Sequence, residues 1–118
     1  MGTFSIPIEV GDGARQRFET VDALVDTVAT NTVLPGSLLR GLGVVPYRKS
    51  SFQLADGREL EMDVGRTWVR VDGQQEYTQV VFGADDTEPI LGAVTLEEMA
   101  FAVDPVARRL VPVRKHLA

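Results

Sequence analysis

The segment Ala23-Leu24-Val25-Asp26-Thr27-Val28-Ala29-Thr30-Asn31-Thr32-Val33-Leu34-Pro35 sets an acid and a hydroxyl between two apolar runs. The run Ala23-Leu24-Val25 predicts a strand, entered from about Arg17, that is buried on both faces near its end. Residues 26–31 are polar and predict a loop, and Thr32-Val33-Leu34 resumes as a strand. Pro35 then opens a short helix, where its missing N–H does no harm. Leu38, Leu39 and Leu42 fall on one face of that helix, and Gly41 or Gly43 closes it. Asp26 and Thr27 directly follow a buried strand, a position from which a carboxylate can do chemistry. The same pair also fits an Asx or ST turn that serves only its own loop.

Short strands and turns fill the rest of the chain. Phe4, Ile6, Ile8 and Val10 alternate with polar residues, and Pro7 assigns that strand to a sheet edge. Phe52-Gln53-Leu54 and Leu60-Glu61-Met62 flank Ala55-Asp56-Gly57-Arg58. Trp68 to Val71 and Tyr77 to Phe82 flank Asp72-Gly73. Asp-Gly between alternating runs predicts a hairpin in both places, because glycine accepts the positive φ that tight turns demand. An acidic loop, Asp85-Asp86-Thr87-Glu88-Pro89, precedes the apolar strand Ile90-Leu91-Gly92. Thr95 to Met99 predicts one or two helical turns, with Glu97-Glu98 near their start, where acids favour the helix dipole. Phe101 to Val103 and Leu110 to Val113 predict a last hairpin across Asp104-Pro105. An apolar run entering a loop, followed by a short helix, occurs at Leu24-Val25-Asp26 and again at Ile90-Leu91-Gly92, a faint internal echo.

Composition narrows the function. With 118 residues, 44% hydrophobic and 25% charged, the chain reads as a single globular domain over residues 1–118. The net charge of −5 gives no basic footprint for nucleic acid. There is no cysteine, which removes disulfides, thiol catalysis and cysteine-bound metal. His116 is the single histidine, so histidine triads and multi-histidine metal sites have no material. It sits with Arg114 and Lys115 in a basic tail read as solvated. Met1 to Pro7 lacks the features of a signal peptide or a myristoylation site, and no stretch has the length of a membrane helix. A soluble, cytoplasmic protein without metal or cofactor is the expectation. Asp85, Asp86 and Glu88 read as a hydrated acidic loop, and Trp68 as a core or dimer-contact residue rather than a ligand stacker.

The string from Ala23 to Pro35, followed by Leu38-Leu39 and Leu42-Gly43, resembles the active-site segment of the retropepsin-like aspartic proteases. That family carries an apolar run, Asp-Thr-Gly-Ala, a spacer, then Thr-Val-Leu. Its second hallmark, two apolar residues and a glycine, matches Ile90-Leu91-Gly92, and a short helix follows in both. Between the two hallmarks the family carries a flap hairpin, where this chain has Ala55-Asp56-Gly57-Arg58. Read without the resemblance, that hairpin is equally an ordinary surface turn. The stretch from Ile90 through Val103-Asp104-Pro105 to Arg109-Leu110-Val111-Pro112 is similar to small prokaryotic members.

The resemblance implies an all-β, pseudo-duplicated, closed barrel-like fold that forms half of a homodimer. It implies an endopeptidase in which Asp26 of each copy forms a dyad that activates water against a peptide or protein substrate. One carboxyl activates the water and the other protonates the carbonyl oxygen, so the two share one proton. This chain offers one such aspartate, and two-fold symmetry lets a residue meet its own copy. By the same resemblance Thr27 braces the opposite loop, Ala29 lets the loop pack, and Thr30 completes it. Ile90, Leu91 and Gly92 pass close beneath the loop, and residues 55–58 close over substrate. The departure is Val28, where the family has glycine. At positive φ a valine would strain the loop by about 1–3 kcal/mol; at negative φ its isopropyl group faces the substrate groove. The rival expectation is therefore a peptide-binding or dimerisation module that kept the scaffold and lost turnover.

Overall fold

The alternation from Phe4 onward becomes β1 (Phe4–Gly11) in the computed structural model, which describes residues 4–114. Met1 to Thr3, Lys115 and His116 lie outside the described residues, and so do the readings that fall on them. β1 pairs along its whole length with β2 (Phe18–Val25) and meets β5 (Glu59–Val71) only at Glu9 and Val10. Pro7 therefore lies where β1 has a neighbour on one side only, the position its missing N–H requires. The chain continues through β3 (Thr32–Pro35), α1 (Gly36–Gly41) and β4 (Arg48–Gln53), then β5 and β6 (Gln74–Gly83). β7 (Ile90–Leu91), α2 (Ala93–Glu98), β8 (Phe101–Asp104) and β9 (Arg109–Pro112) complete it.

Hydrogen bonding runs in the order β1-β2-β7-β3-β6-β5, and the β1–β5 contact closes the ring. β4 hangs on β5 outside the ring, and β8–β9 form a separate small sheet. Exchanging β1 with β5, β2 with β6 and β3 with β7 maps the ring onto itself. The parallel pairs β2–β7 and β3–β6 trade places under that exchange. The internal echo is thus present as two interlocked units, each ending in a short helix. The strand that matches β7 is β3 rather than β2, one strand later than the echo in the sequence places it.

Inward-facing residues of the ring fill the interior. Leu34, Leu39, Val69, Val80 and Leu91 are fully buried, each contributing about 1.5–3 kcal/mol relative to an exposed position. Leu39 and Leu42 anchor α1 in this core, with Leu38 packed at its edge. The chain leaves α1 through Gly43 at φ +79, the left-handed exit that favours glycine. Asp72 and Gly73, at φ +47 and +82, make the tight turn between β5 and β6, where Val71 faces Gln74.

Two readings are corrected. The two central hairpins are not separate, because both use the single 13-residue strand β5. Glu97 and Glu98 stand at the C-terminal end of α2 and not its start, so the helix dipole does not favour them. Instead Glu98 accepts a 2.6 Å hydrogen bond from the Thr78 hydroxyl.

Asp63 ties the root of the β4–β5 hairpin to α1. Its carboxylate meets Lys49 at 2.8 Å and Arg40 at 3.0 Å. The hydrogen bond from Lys49, helped by the charges of Lys49 and Arg40, holds the Asp63 carboxyl below its ordinary range. The hydrogen bond to Asp63 raises Lys49 in turn. A carboxyl depressed in the folded state stabilises above its unfolded pKa of about 3.9 and loses that contribution as pH falls through the folded value. A raised lysine contributes below its unfolded pKa of about 10.4 and loses it as pH climbs through the folded value. Melting temperatures of Asp63→Asn are therefore expected to fall less steeply below about pH 4 than those of the unmodified protein. Superimposable acid limbs would remove this pair from the account.

Candidate active site

Asp26 extends β2 into a loop that β7 holds from beside it. The Asp26 N–H donates to the Leu91 carbonyl at 3.1 Å, continuing the parallel pairing of Leu24 and Val25 with Ile90 and Leu91. The Asp26 Oδ1 accepts from the Val28 N–H at 3.0 Å and the Ala29 N–H at 3.4 Å. The loop-serving turn is thus real, and it engages only one oxygen. Oδ2 accepts no hydrogen bond from the described residues, and the side chain is half-buried. An oxygen fixed in place by its sibling's bonds and left open on the other side can meet a second group.

The rest of the loop divides by exposure. Thr27 is exposed, and its hydroxyl has no partner among the described residues. Val28 is 78% exposed and does not have positive φ. Of the two outcomes drawn from the sequence, backbone strain is therefore ruled out, and the isopropyl group stands free on the loop. The Ala29 and Thr30 carbonyls accept from the Ala93 and Val94 N–H groups at 2.8 and 3.0 Å. The first turn of α2 thereby fastens the loop's second half.

Gly92 brings β7 against that loop. A Cβ on Gly92 would lie 2.4 Å from the Asn31 carbonyl carbon and oxygen. The Gly92 N–H donates to the Thr32 hydroxyl at 3.0 Å. Thr32 and Thr95 share a 2.6 Å hydrogen bond, and Thr95 and Thr78 a 3.0 Å one. These three fully buried threonines, closed by Glu98, form the polar support of the loop. Sequence reasoning missed them, because three threonines far apart in the chain carry no pattern.

The hairpin turn at residues 55–58 is exposed and organised by its own bonds. The Leu54 N–H donates to the Arg58 carbonyl at 2.8 Å, and Asp56 pairs with Arg58 at 2.7 Å. Gly57 sits at φ +89. A groove of about 240 Å³ separates this hairpin from the Asp26 loop. Ala29, Thr30 and Asn31 line one wall, and Phe52, Leu54 and Met62 line the other. The hairpin's contribution to the groove comes from its strands rather than its turn. Alternation of Phe52 with Leu54 was the available signal. Trp68 is half-buried, 5.5 Å from Tyr77 between ring centroids, and lies outside the core. In the acidic loop, Asp85 accepts from the Ser37 N–H at the start of α1 at 3.0 Å.

The sequence matches no protein-family model and no curated protein. Solved structures do match. The EIAV protease, in complex with the inhibitor HBY-793, superposes with a TM-score of 0.61 at 19% identity, over 82% of this chain and 88% of that one. The simian foamy virus (mac) protease gives 0.57 at 18%, over 80% and 92%. A retropepsin-like aspartic protease from Rickettsia conorii gives 0.52 at 16%, over 88% and 89%. Mostly β, with two short helices and a sheet whose hydrogen bonds close into a ring, the chain has the fold of the retropepsin-like aspartic proteases.

Proposed function

We propose that the chain is half of a homodimeric aspartic endopeptidase in which Asp26 and its copy share one proton and activate water. The observation that carries this reading is the Asp26 carboxylate, with Oδ1 tied to its loop and Oδ2 free, beside an apolar groove whose other wall is formed by the strands of a hairpin. The ionised carboxyl takes a proton from water as it attacks the peptide carbonyl. The protonated partner gives its proton to the carbonyl oxygen, and the pair later returns one to the leaving amine. An extended peptide lies between the loops and the hairpins, paired in part through main-chain groups. The exposed Thr27 hydroxyl is available to the opposite loop.

The test is cleavage of a mixed peptide library across a protein dilution series. Each site needs two chains, so specific activity is expected to fall as dilution passes the dimer dissociation constant. Constant specific activity from a strictly monomeric protein would sink the proposal.

The exposed Val28 side chain favours a second reading, a peptide-binding module with impaired turnover. Val28→Gly separates the two. If the isopropyl group obstructs substrate, the exchange raises kcat/KM about tenfold, equivalent to about 1.4 kcal/mol of barrier. Glycine also loosens the unfolded chain, so stability should drop by about 0.4–1 kcal/mol. Steady-state kinetics and urea unfolding of the same variant read both effects. Unchanged kinetics would mean that the groove accommodates the valine.

A further inference from the structure

The outer face of the β5–β6 hairpin carries arginines and aromatic rings that the proposed chemistry does not use. Arg66, Trp68 and Arg70 stand opposite Gln79, Tyr77 and Gln75 on one side of the sheet. The Arg15 guanidinium lies 4.2 Å from the Trp68 ring centroid, and Trp68 packs on Tyr77. Further along the same face Gln79 accepts from the Tyr47 hydroxyl at 3.2 Å and from Arg48 at 3.5 Å.

Charge is the informative part. The chain has 17 acidic residues against 12 lysines and arginines, yet none of Arg15, Arg48 and Arg66 has an ion pair among the described residues. Glu9 is committed to Arg70 through two 3.0 Å bonds, and Asp12 to the N–H groups of its own loop. A polar hollow of about 350 Å³ opens where Arg15, Arg70 and Gln75 converge. Tyrosine, tryptophan and arginine are also the residues that dominate binding energy at protein interfaces.

The face is continuous with the candidate groove. Gln79 donates through Nε2 to the Asn31 side-chain carbonyl at 3.2 Å, and Asn31 lines that groove.

We propose that this face docks an extended, acidic segment of a protein substrate, with one carboxylate meeting Arg15 at the hollow and others meeting Arg66 and Arg48. The inference rests on the endopeptidase reading only for calling the partner a substrate; the docking itself does not depend on turnover. Carboxylates suit the guanidinium forks of Arg15, Arg48 and Arg66, which have no ion pair among the described residues, and a peptide backbone suits the aromatic platform.

The test is fluorescence anisotropy with a labelled peptide of alternating glutamate and serine, measured on the Asp26→Asn protein so that nothing is cleaved. Binding is expected to weaken about tenfold in Arg15→Gln/Arg66→Gln and to weaken with added salt. It should be unchanged in Arg109→Gln, which removes one positive charge elsewhere. A glutamine–serine peptide should bind about tenfold more weakly than the glutamate one. Equal binding by the double variant, or tighter binding of oligothymidylate than of the acidic peptide, overturns the proposal. Failure here leaves cleavage by the unmodified protein untouched. Failure of cleavage leaves this binding result standing.

Discussion

Asp26→Asn is expected to abolish peptide hydrolysis while leaving the fold in place. Asparagine has the shape of aspartate, and its side-chain oxygen can still accept from the Val28 N–H now bonded at 3.0 Å. What it cannot do is exchange a proton with its symmetry mate. Losing general acid–base function lowers kcat by about 10²- to 10⁴-fold. Peptide affinity and melting temperature should change little by comparison. The proposed dyad works with one carboxyl ionised and one protonated, so the unmodified protein's rate is expected to be bell-shaped in pH, both limbs belonging to the pair. A mixing experiment makes the prediction sharper. Excess Asp26→Asn chain added to the unmodified protein should sequester it in dead mixed dimers and suppress turnover beyond simple dilution. Undiminished activity in the mixture would mean that each chain works alone. A binding module instead predicts an unchanged peptide affinity and no turnover to lose.

Local chemistry made much of this fold readable. Asp72-Gly73 and Asp56-Gly57 announce their turns because few residues tolerate the backbone they need. Pro35 followed by Leu38-Leu39 marks α1 by the same logic of fixed φ and helical spacing. The Asp26 loop was legible because polar residues between two apolar runs leave few alternatives. Features made by distant residues were not. Leu24 lies beside Ile90 only once β7 inserts between β2 and β3, and no short-range pattern encodes that parallel pairing. Residues 63–67 hid the continuity of β5, since Gly65 interrupts the alternation. In the structure Gly65 is buried where a Cβ would stand 3.0 Å from the Phe82 ring and 3.3 Å from the Val45 carbonyl oxygen, a close approach that explains a glycine within a strand. Val28 shows the limit most clearly. Its sequence posed a choice between strain and obstruction, and only the backbone angle removed the first.

Gly92→Ala is expected to be the most damaging substitution outside the carboxylate itself. Its added methyl would sit 2.4 Å from the Asn31 carbonyl carbon and oxygen and 2.9 Å from the Thr32 nitrogen. Those are backbone atoms and cannot rotate aside. Restoring ordinary contact at about 3.5 Å means moving β7 and the loop apart by roughly 1 Å. That movement pulls on the Gly92–Thr32 hydrogen bond and on the α2 N–H groups that hold the Ala29 and Thr30 carbonyls. Overpacking of this kind costs about 3 kcal/mol, readable as a lower urea midpoint at unchanged slope. Activity per folded molecule should fall as well, since a 1 Å misplacement of a reacting group is worth about 10²-fold. Gly41→Ala supplies the contrast. Nothing lies within 4 Å of its Cβ and it ends a helix at ordinary φ, so that exchange should stabilise by about 0.5–1 kcal/mol. Equal stability of the two variants would mean that β7 does not press on the Asp26 loop, and the carboxylate would then lack the rigid support that hydrolysis by a shared proton demands.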